Sequence, residues 1–281
     1  MTLNYIVWDV SPSIFTIPEW FPLLGGRPIL WYSMFWALSF VIGYYIMKKI
    51  YKKERIDEKL LDKLLFNMLI FTTVGARLGH CLFYEPGYYL SNPIKFFYIW
   101  EGGLASHGGA IGILLGLYIY SRRNKKPYIW ILDRIVIPIA LGGAFIRLGN
   151  LMNSEIYGNA TTLPWGFKFV RDWADFIPLD EIPACHPTQI YEALFCIAVF
   201  AFLMYMYFKK DTIKEHPGFS FGFFCTVIFG SRMLIEIIKR PQVAFEDSMA
   251  LDMGQLLSIP FVIVGIYFMV KSFRNKEKRV H

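Results

Sequence analysis

Seven apolar stretches, each near the ~20 residues needed to cross a ~30 Å hydrocarbon core, dominate this 281-residue chain. They fall at approximately 29–47, 64–85, 104–121, 128–151, 188–208, 218–238 and 251–270. A chain written this way has few ways to fold. A bilayer satisfies no backbone polar group, so each stretch must close its own hydrogen bonds as a helix. Composition agrees, at 55% hydrophobic and 18% charged with a mean hydropathy of +0.40. The expected fold class is all-α: a polytopic membrane protein of about seven transmembrane helices. The net charge of +7 does not indicate a nucleic-acid partner, because the basic residues sit in short loops between apolar runs.

Those basic residues set an orientation. Loops 48–63, 122–126 and 209–217 and the tail 271–281 hold nineteen of the 29 Lys and Arg. Segments 1–28, 86–103, 152–187 and 239–250 hold six. The bias predicts an N-terminus outside and a cytoplasmic C-terminus. No linker separates domains, so residues 1–281 read as one integral-membrane domain. Within it, 1–28 is an aromatic interfacial arm, 152–187 a small periplasmic cap and 271–281 a basic cytoplasmic tail. The first apolar stretch begins too late, behind Asp9 and Glu19, for a cleavable signal peptide. Cys81, Cys185, Cys196 and Cys225 form no CxxC, and neither a disulfide framework nor a metal site is expected.

Three arginines interrupt the greasy segments. Arg77, Arg147 and Arg232 lie 13 or 14 positions beyond Lys63, Arg134 and Gly218 at the inner ends of their spans. At 1.5 Å rise, each stands roughly 20 Å above the inner boundary. His107, on a span running the other way, lies roughly 9 Å below the outer boundary by the same rise. Each cation costs about 2.5–3.5 kcal/mol at such depth and needs compensation. Arg232 has Glu236 at i+4, and Glu85, Glu155 and Glu192 stand near the outer rim. One reading is an ion-pair network that fixes helix packing. The other is an anion site, since guanidinium groups grip phosphate through two parallel hydrogen bonds.

His107 sits in ASHGGAIG, among Gly102, Gly103, Gly108, Gly109 and Gly112. Small residues admit a neighbouring helix or a ligand. A neutral imidazole there is able to take a proton from a thiol or hydroxyl near pH 7. HPTQIYE (186–192) and MGQLLSIP (253–260) open two later spans, and Gln189, Tyr191, Glu192 and Gln255 are candidate partners for a head group or peptide backbone. His80 reads as structural.

In order along the chain, WYSMFWALSF (31–40), GARLGHCLFYEP (75–86), EGGLASHGGAIG (101–112), RLGNLMNSEIYG (147–158), HPTQIYE, GSRMLIE (230–236) and MGQLLSIP resemble the bacterial prolipoprotein diacylglyceryl transferases. The resemblance implies a reaction in the cytoplasmic (inner) membrane, with the active site toward the outer leaflet. The diacylglyceryl group of phosphatidylglycerol passes to the thiol of the lipobox cysteine of a prolipoprotein signal peptide. A thioether forms and glycerol phosphate leaves, with no cofactor. It also implies roles. His107 matches an essential histidine, Arg147, Asn150, Glu155 and Gly158 a signature motif, Arg232 a second lipid-binding arginine, and Tyr32 an important tyrosine. Arg147, Asn150, Glu155, Gly158, Arg77, Arg232, Glu236, Gln189 and Gln255 are the expected head-group residues. Three positions depart from the family pattern: Ile228 and His80 stand where tyrosines are usual, and Glu101 where Asp is usual.

Two other classes are weighed against this one. A multi-pass transporter or binding protein for anionic lipids would also use convergent arginines, but inverted repeats are not evident beyond the RLGH/RLGN echo at 77–80 and 147–150. A metal-dependent phospholipid synthase would group carboxylates on neighbouring turns, and the spans lack such a group.

Overall fold

The computed structural model describes residues 5–22, 24–98, 103, 105–210, 215–240 and 251–280. Glu101, Gly102, segment 241–250 and His281 lie outside the described residues. Helices occupy all seven apolar stretches: α1 (Trp31–Lys53), α2 (Glu58–Phe83), α4 (Ser106–Arg123), α5 (Tyr128–Met152), α7 (Thr188–Phe208), α8 (Phe219–Glu236) and α9 (Met253–Val280). Short α3 (Pro86–Ser91) and α6 (Val170–Trp173) lie in the connections. Five of the long helices (α2, α5, α7, α8, and α9 over Met253–Arg274) are long and apolar enough to cross a membrane. In the other two, α1 ends in a lysine-rich turn and α4 is short and glycine-rich.

The chain divides into two compact units, Tyr44–Arg134 and the remainder, and both divisions fall inside helices, α1 and α5. In the Tyr44–Arg134 unit, α2 and α4 touch backbone to backbone. A Cβ at Gly75 would overlap Gly108 O, and one at Gly79 would lie 2.8 Å from Gly108 Cα. The glycines near His107 therefore serve a helix crossing, the first of the two uses open to small residues. At the far end of the unit, Glu54 pairs with Arg134 at 2.8 Å and accepts from Trp130 Nε1 at 2.9 Å.

The fold is mostly helical, as expected, and the larger unit adds short strands. The 1–28 arm and the cap carry two small sheets. Strand β1 (Ile6–Trp8) runs parallel to β4 (Phe167–Phe169), and β2 (Ser13–Thr16) pairs antiparallel with β3 (Pro28–Leu30). An extended segment with unpaired amides gains hydrogen bonds by lying against another. Trp8 fixes this one: its ring packs 5.4 Å from Phe167, and its Nε1 donates to Leu151 O at 2.9 Å, at the end of α5. A buried cluster of Leu151, Tyr157, Phe167, Phe169 and Cys185 holds the cap.

Candidate functional site

Helix α5 ends at Met152, and the chain then turns back sharply. Ser154 (φ 57°) and Ile156 (φ 60°) occupy the left-handed region, where a β-branched residue is strained. Side chains brace the turn. Thr188 Oγ1 donates to Ile156 O at 2.8 Å and Gln189 Nε2 to Glu155 O at 2.7 Å. The amides of Asn150 and Asn153 both donate to Glu155 Oε1, at 2.9 and 3.1 Å. The cluster of amides after Arg147 therefore holds a carboxylate in place within a strained turn.

Arg147 faces α7. Its Nε lies 2.8 Å from Glu192 Oε2, off the line of a hydrogen bond but well within ion-pair range, and its Nη1 donates to Asn150 Oδ1 at 3.4 Å. Glu192 Oε1 in turn meets Lys239 Nζ at 3.3 Å, and Lys239 Nζ meets Glu236 Oε2 at 3.4 Å. Arg232 Nε stands 3.9 Å from the same Glu236 oxygen. Arg147 and Arg232, 85 positions apart, are thus joined by a chain of alternating charge through Glu192, Lys239 and Glu236. Arg232 is the most open member, with its side chain 35% exposed, and its Nε has no hydrogen-bond acceptor among the described residues. Tyr32, in the first turn of α1, packs its ring on Gly149, where a Cβ would lie 2.7 Å from Tyr32 Cδ2. It is within electrostatic range of Arg147 and Glu155.

Lys239 is the residue that sequence reasoning missed, counted only as an outer-loop cation. The available signal was its spacing: Arg232, Glu236 and Lys239 follow one another at i, i+4 and i+7, one helical face. Burial pushes its ammonium below the usual lysine range, against the pull of Glu192. Gly158 gives it a seat. The Gly158 amide donates to His186 O at 2.8 Å, and the residue bridges to Lys239. A Cβ there would lie 2.5 Å from Ile238 O. Added bulk at Gly158 would push away the 238–239 segment.

Several expected ligands have other occupations. Gln189 is fully buried in the turn brace. Gln255 ties α9 to α8, with Nε2 donating to Met233 O at 3.1 Å while Oε1 accepts from Asp252 N at 3.2 Å. Arg77, in the other unit, is 1% exposed. Its guanidinium donates to Phe96 O, Gly103 O, Lys95 O and Tyr98 O at 2.7–3.2 Å and lies over the Tyr89 ring. A cation so engaged shapes the loop that leads into α4. His107 is exposed in the first turn of α4, behind Ala105, whose amide donates to Ala76 O at 2.9 Å. Ile228, where the resemblance implies a tyrosine, packs against Ala144, Ala193 and Cys196.

A family model described as prolipoprotein diacylglyceryl transferase matches residues 18–271. The chain belongs to the prolipoprotein diacylglyceryl transferase family. Relatives named phosphatidylglycerol--prolipoprotein diacylglyceryl transferase align over nearly the whole length. The protein of Porphyromonas gingivalis is 48% identical, covering 98% of each chain. That of Chloroherpeton thalassium is 43% identical, over 98% of this chain and 97% of its own. That of Tolumonas auensis is also 43% identical, over 97% of this chain and all of its own. Every transferase site residue considered above lies inside the matched stretch.

Proposed function

We propose that this chain transfers the diacylglyceryl group of phosphatidylglycerol to the thiol of a prolipoprotein's lipobox cysteine. The observation that carries the reading is the family match over 18–271, which includes the Arg147–Glu192–Lys239–Glu236–Arg232 chain. The reaction breaks the bond between glycerol C3 and the phosphate oxygen. The sulfur forms a new bond to that carbon, glycerol phosphate leaves, and the thiol proton is passed on.

Phosphate is already an anion in the ground state. Acceleration must come from stabilising the extra charge on the leaving oxygen. Arg147 and Arg232 take that role, with their planar forks directed at the phosphodiester. Asn150 and Glu155 orient Arg147, and Glu236 orients Arg232. Tyr32 lines the same end of α5. His107 takes the thiol proton, directly or through water, so that thiolate attacks. Both substrates are amphipaths and enter sideways from the bilayer.

The whole chain, 1–281, acts as one integral-membrane domain, because the boundaries between its packing units fall within continuous helices. All seven long helices cross the bacterial cytoplasmic membrane, with the N-terminus outside, the C-terminus cytoplasmic and the site toward the outer leaflet. The basic asymmetry of the loops supports this. The 1–28 arm and the 152–187 cap sit on the outer side, and 271–281 is the cytoplasmic tail.

The test is labelled lipid transfer. Purified protein in phosphatidylglycerol micelles should modify a lipobox peptide with or without chelator, and a peptide with the cysteine replaced should stay unlabelled. Lipid movement without a covalent product would favour a transporter. For the topology, cysteines placed at Asn124 and Trp165 should react with an impermeant reagent from the cytoplasmic and outer sides respectively. The reverse pattern sinks the orientation.

A further inference from the structure

We propose that Lys239 is a positioning residue, which holds Glu192 and Glu236, and through them Arg147 and Arg232, in the arrangement that receives the lipid's anionic phosphodiester. The proposal rests on the function proposed above and adds a specific ionic requirement to it.

Three observations carry it. The first is burial with two partners. The Lys239 side chain is 1% exposed, and its ammonium lies between two carboxylates at 3.3 and 3.4 Å. A buried ammonium is costly unless it is paired, so the fold keeps this one for the contacts it makes. The second is connectivity. Each of those carboxylates also faces one arginine, Glu192 facing Arg147 and Glu236 facing Arg232. Without the ammonium, Glu192 and Glu236 would lose their shared counter-charge, and each would draw its own arginine more tightly.

The third is charge. Arg147, Arg232 and Lys239 face Glu155, Glu192 and Glu236, three cations and three anions. Removing Lys239 turns a balanced cluster into one with net charge −1, which repels a phosphodiester. The surroundings pack closely around the residue. Besides the Gly158 bridge, its neighbour Arg240 lies over the rings of Tyr157 and Trp173, and Arg240 Nη1 donates to the Tyr157 hydroxyl at 3.1 Å. That hydroxyl donates to Asp172, and burial pushes it above the ordinary tyrosine range, so it stays protonated across the working pH.

The ammonium is the member of the chain that titrates as pH rises. Glu192 from α7, Arg147 from α5 and Glu236 and Arg232 from α8 are the charged groups around it. With its pKa lowered by burial, Lys239 loses its charge at a lower pH than an exposed lysine, and activity should fall with it. An arginine at 239 would keep its charge.

The experiment compares full-length wild type, Lys239→Met and Lys239→Arg from pH 7 to 10 by lipid transfer, alongside equilibrium binding of labelled phosphatidylglycerol. The expected result for Lys239→Met is a KM for phosphatidylglycerol raised about 10-fold or more, with the KM for the peptide unchanged. Lys239→Arg should restore most of the lipid affinity and carry its activity to higher pH than wild type. A Lys239→Met enzyme with wild-type affinity for phosphatidylglycerol overturns the proposal. Should the methionine variant fail to fold, the arginine variant decides: an alkaline limb that coincides with the wild type's overturns the proposal, and one displaced upward supports it. If wild type binds the lipid but transfers nothing, the proposed reaction fails, and the binding comparison still decides the role of Lys239.

Discussion

Arg77 and Arg232 make an instructive pair. Both interrupt apolar segments 14 positions beyond a flanking residue, Lys63 or Gly218, and hydropathy alone does not tell them apart. Arg77 is buried, and its donors point at four backbone carbonyls. Arg232 is a third exposed and stands 3.9 Å from a carboxylate, with a buried Nε that has no hydrogen-bond acceptor among the described residues. A guanidinium with its donors directed at carbonyls organises a loop. A guanidinium held loosely by charge remains open to an arriving anion. Arg147 lies between these extremes, 18% exposed, paired with Glu192 and steadied by Asn150. The difference is set by the acceptors: those of Arg77 lie 18 to 26 positions away in the chain, whereas the carboxylate beside Arg232 is its i+4 neighbour.

That contrast is broken or sharpened by substitutions at five positions. The largest effect is expected at Arg147. Arg147→Ala should abolish transfer while the protein still inserts. Arg147→Lys should recover little, because an ammonium cannot make the two parallel hydrogen bonds. Near-wild-type turnover in the lysine variant would mean that a point charge suffices.

Next comes His107→Gln, expected to be nearly inactive at pH 7. An ordinary thiol of pKa about 8.5 is mostly ionised by roughly pH 9.5. The deficit relative to wild type at the same pH should therefore shrink as pH rises. Arg147→Ala should show no such recovery, since base cannot replace a phosphate grip. A deficit that stays constant from pH 7 to 9.5 would assign His107 a positioning role, and Tyr32 and Glu155 would be tested next.

Arg77→Met tests the other side of the comparison. It leaves four carbonyls without their donor, and an unsatisfied buried polar group costs about 1–3 kcal/mol. Thermal stability in detergent should drop clearly. Arg232→Met should lose transfer with a much smaller change in melting temperature. If Arg77→Met keeps its stability and instead weakens lipid binding, the division between loop anchor and anion grip is wrong.

The smallest effect is expected at Gln255→Ala, which removes a tie between α8 and α9. A loss of about 0.5–2 kcal/mol in stability, typical of a lost cap, should accompany a KM for phosphatidylglycerol within a few-fold of wild type. A larger rise in KM would restore Gln255 as a head-group ligand.

The sequence by itself determined the helices, because the hydropathy of a 20-residue window is a local property and a bilayer leaves a helix as the solution. It also marked the segment around Arg147 and the pairing of Arg232 with Glu236, since i, i+4 neighbours meet on any helix. The sheets of the arm and cap were not legible. Strands of three or four residues carry too little periodicity, and β1 finds its partner some 160 positions away in β4. The separate fates of Arg77, Gln189 and Gln255 were hidden for the same reason: each side chain is tied to backbone groups, which no residue type announces. Only the tertiary structure decided that Lys239, 47 positions from Glu192, is the cation at the centre of the network. Whether a charge binds a ligand or steadies the fold depends on which opposite charges and carbonyls reach it first, and that is fixed by packing between helices.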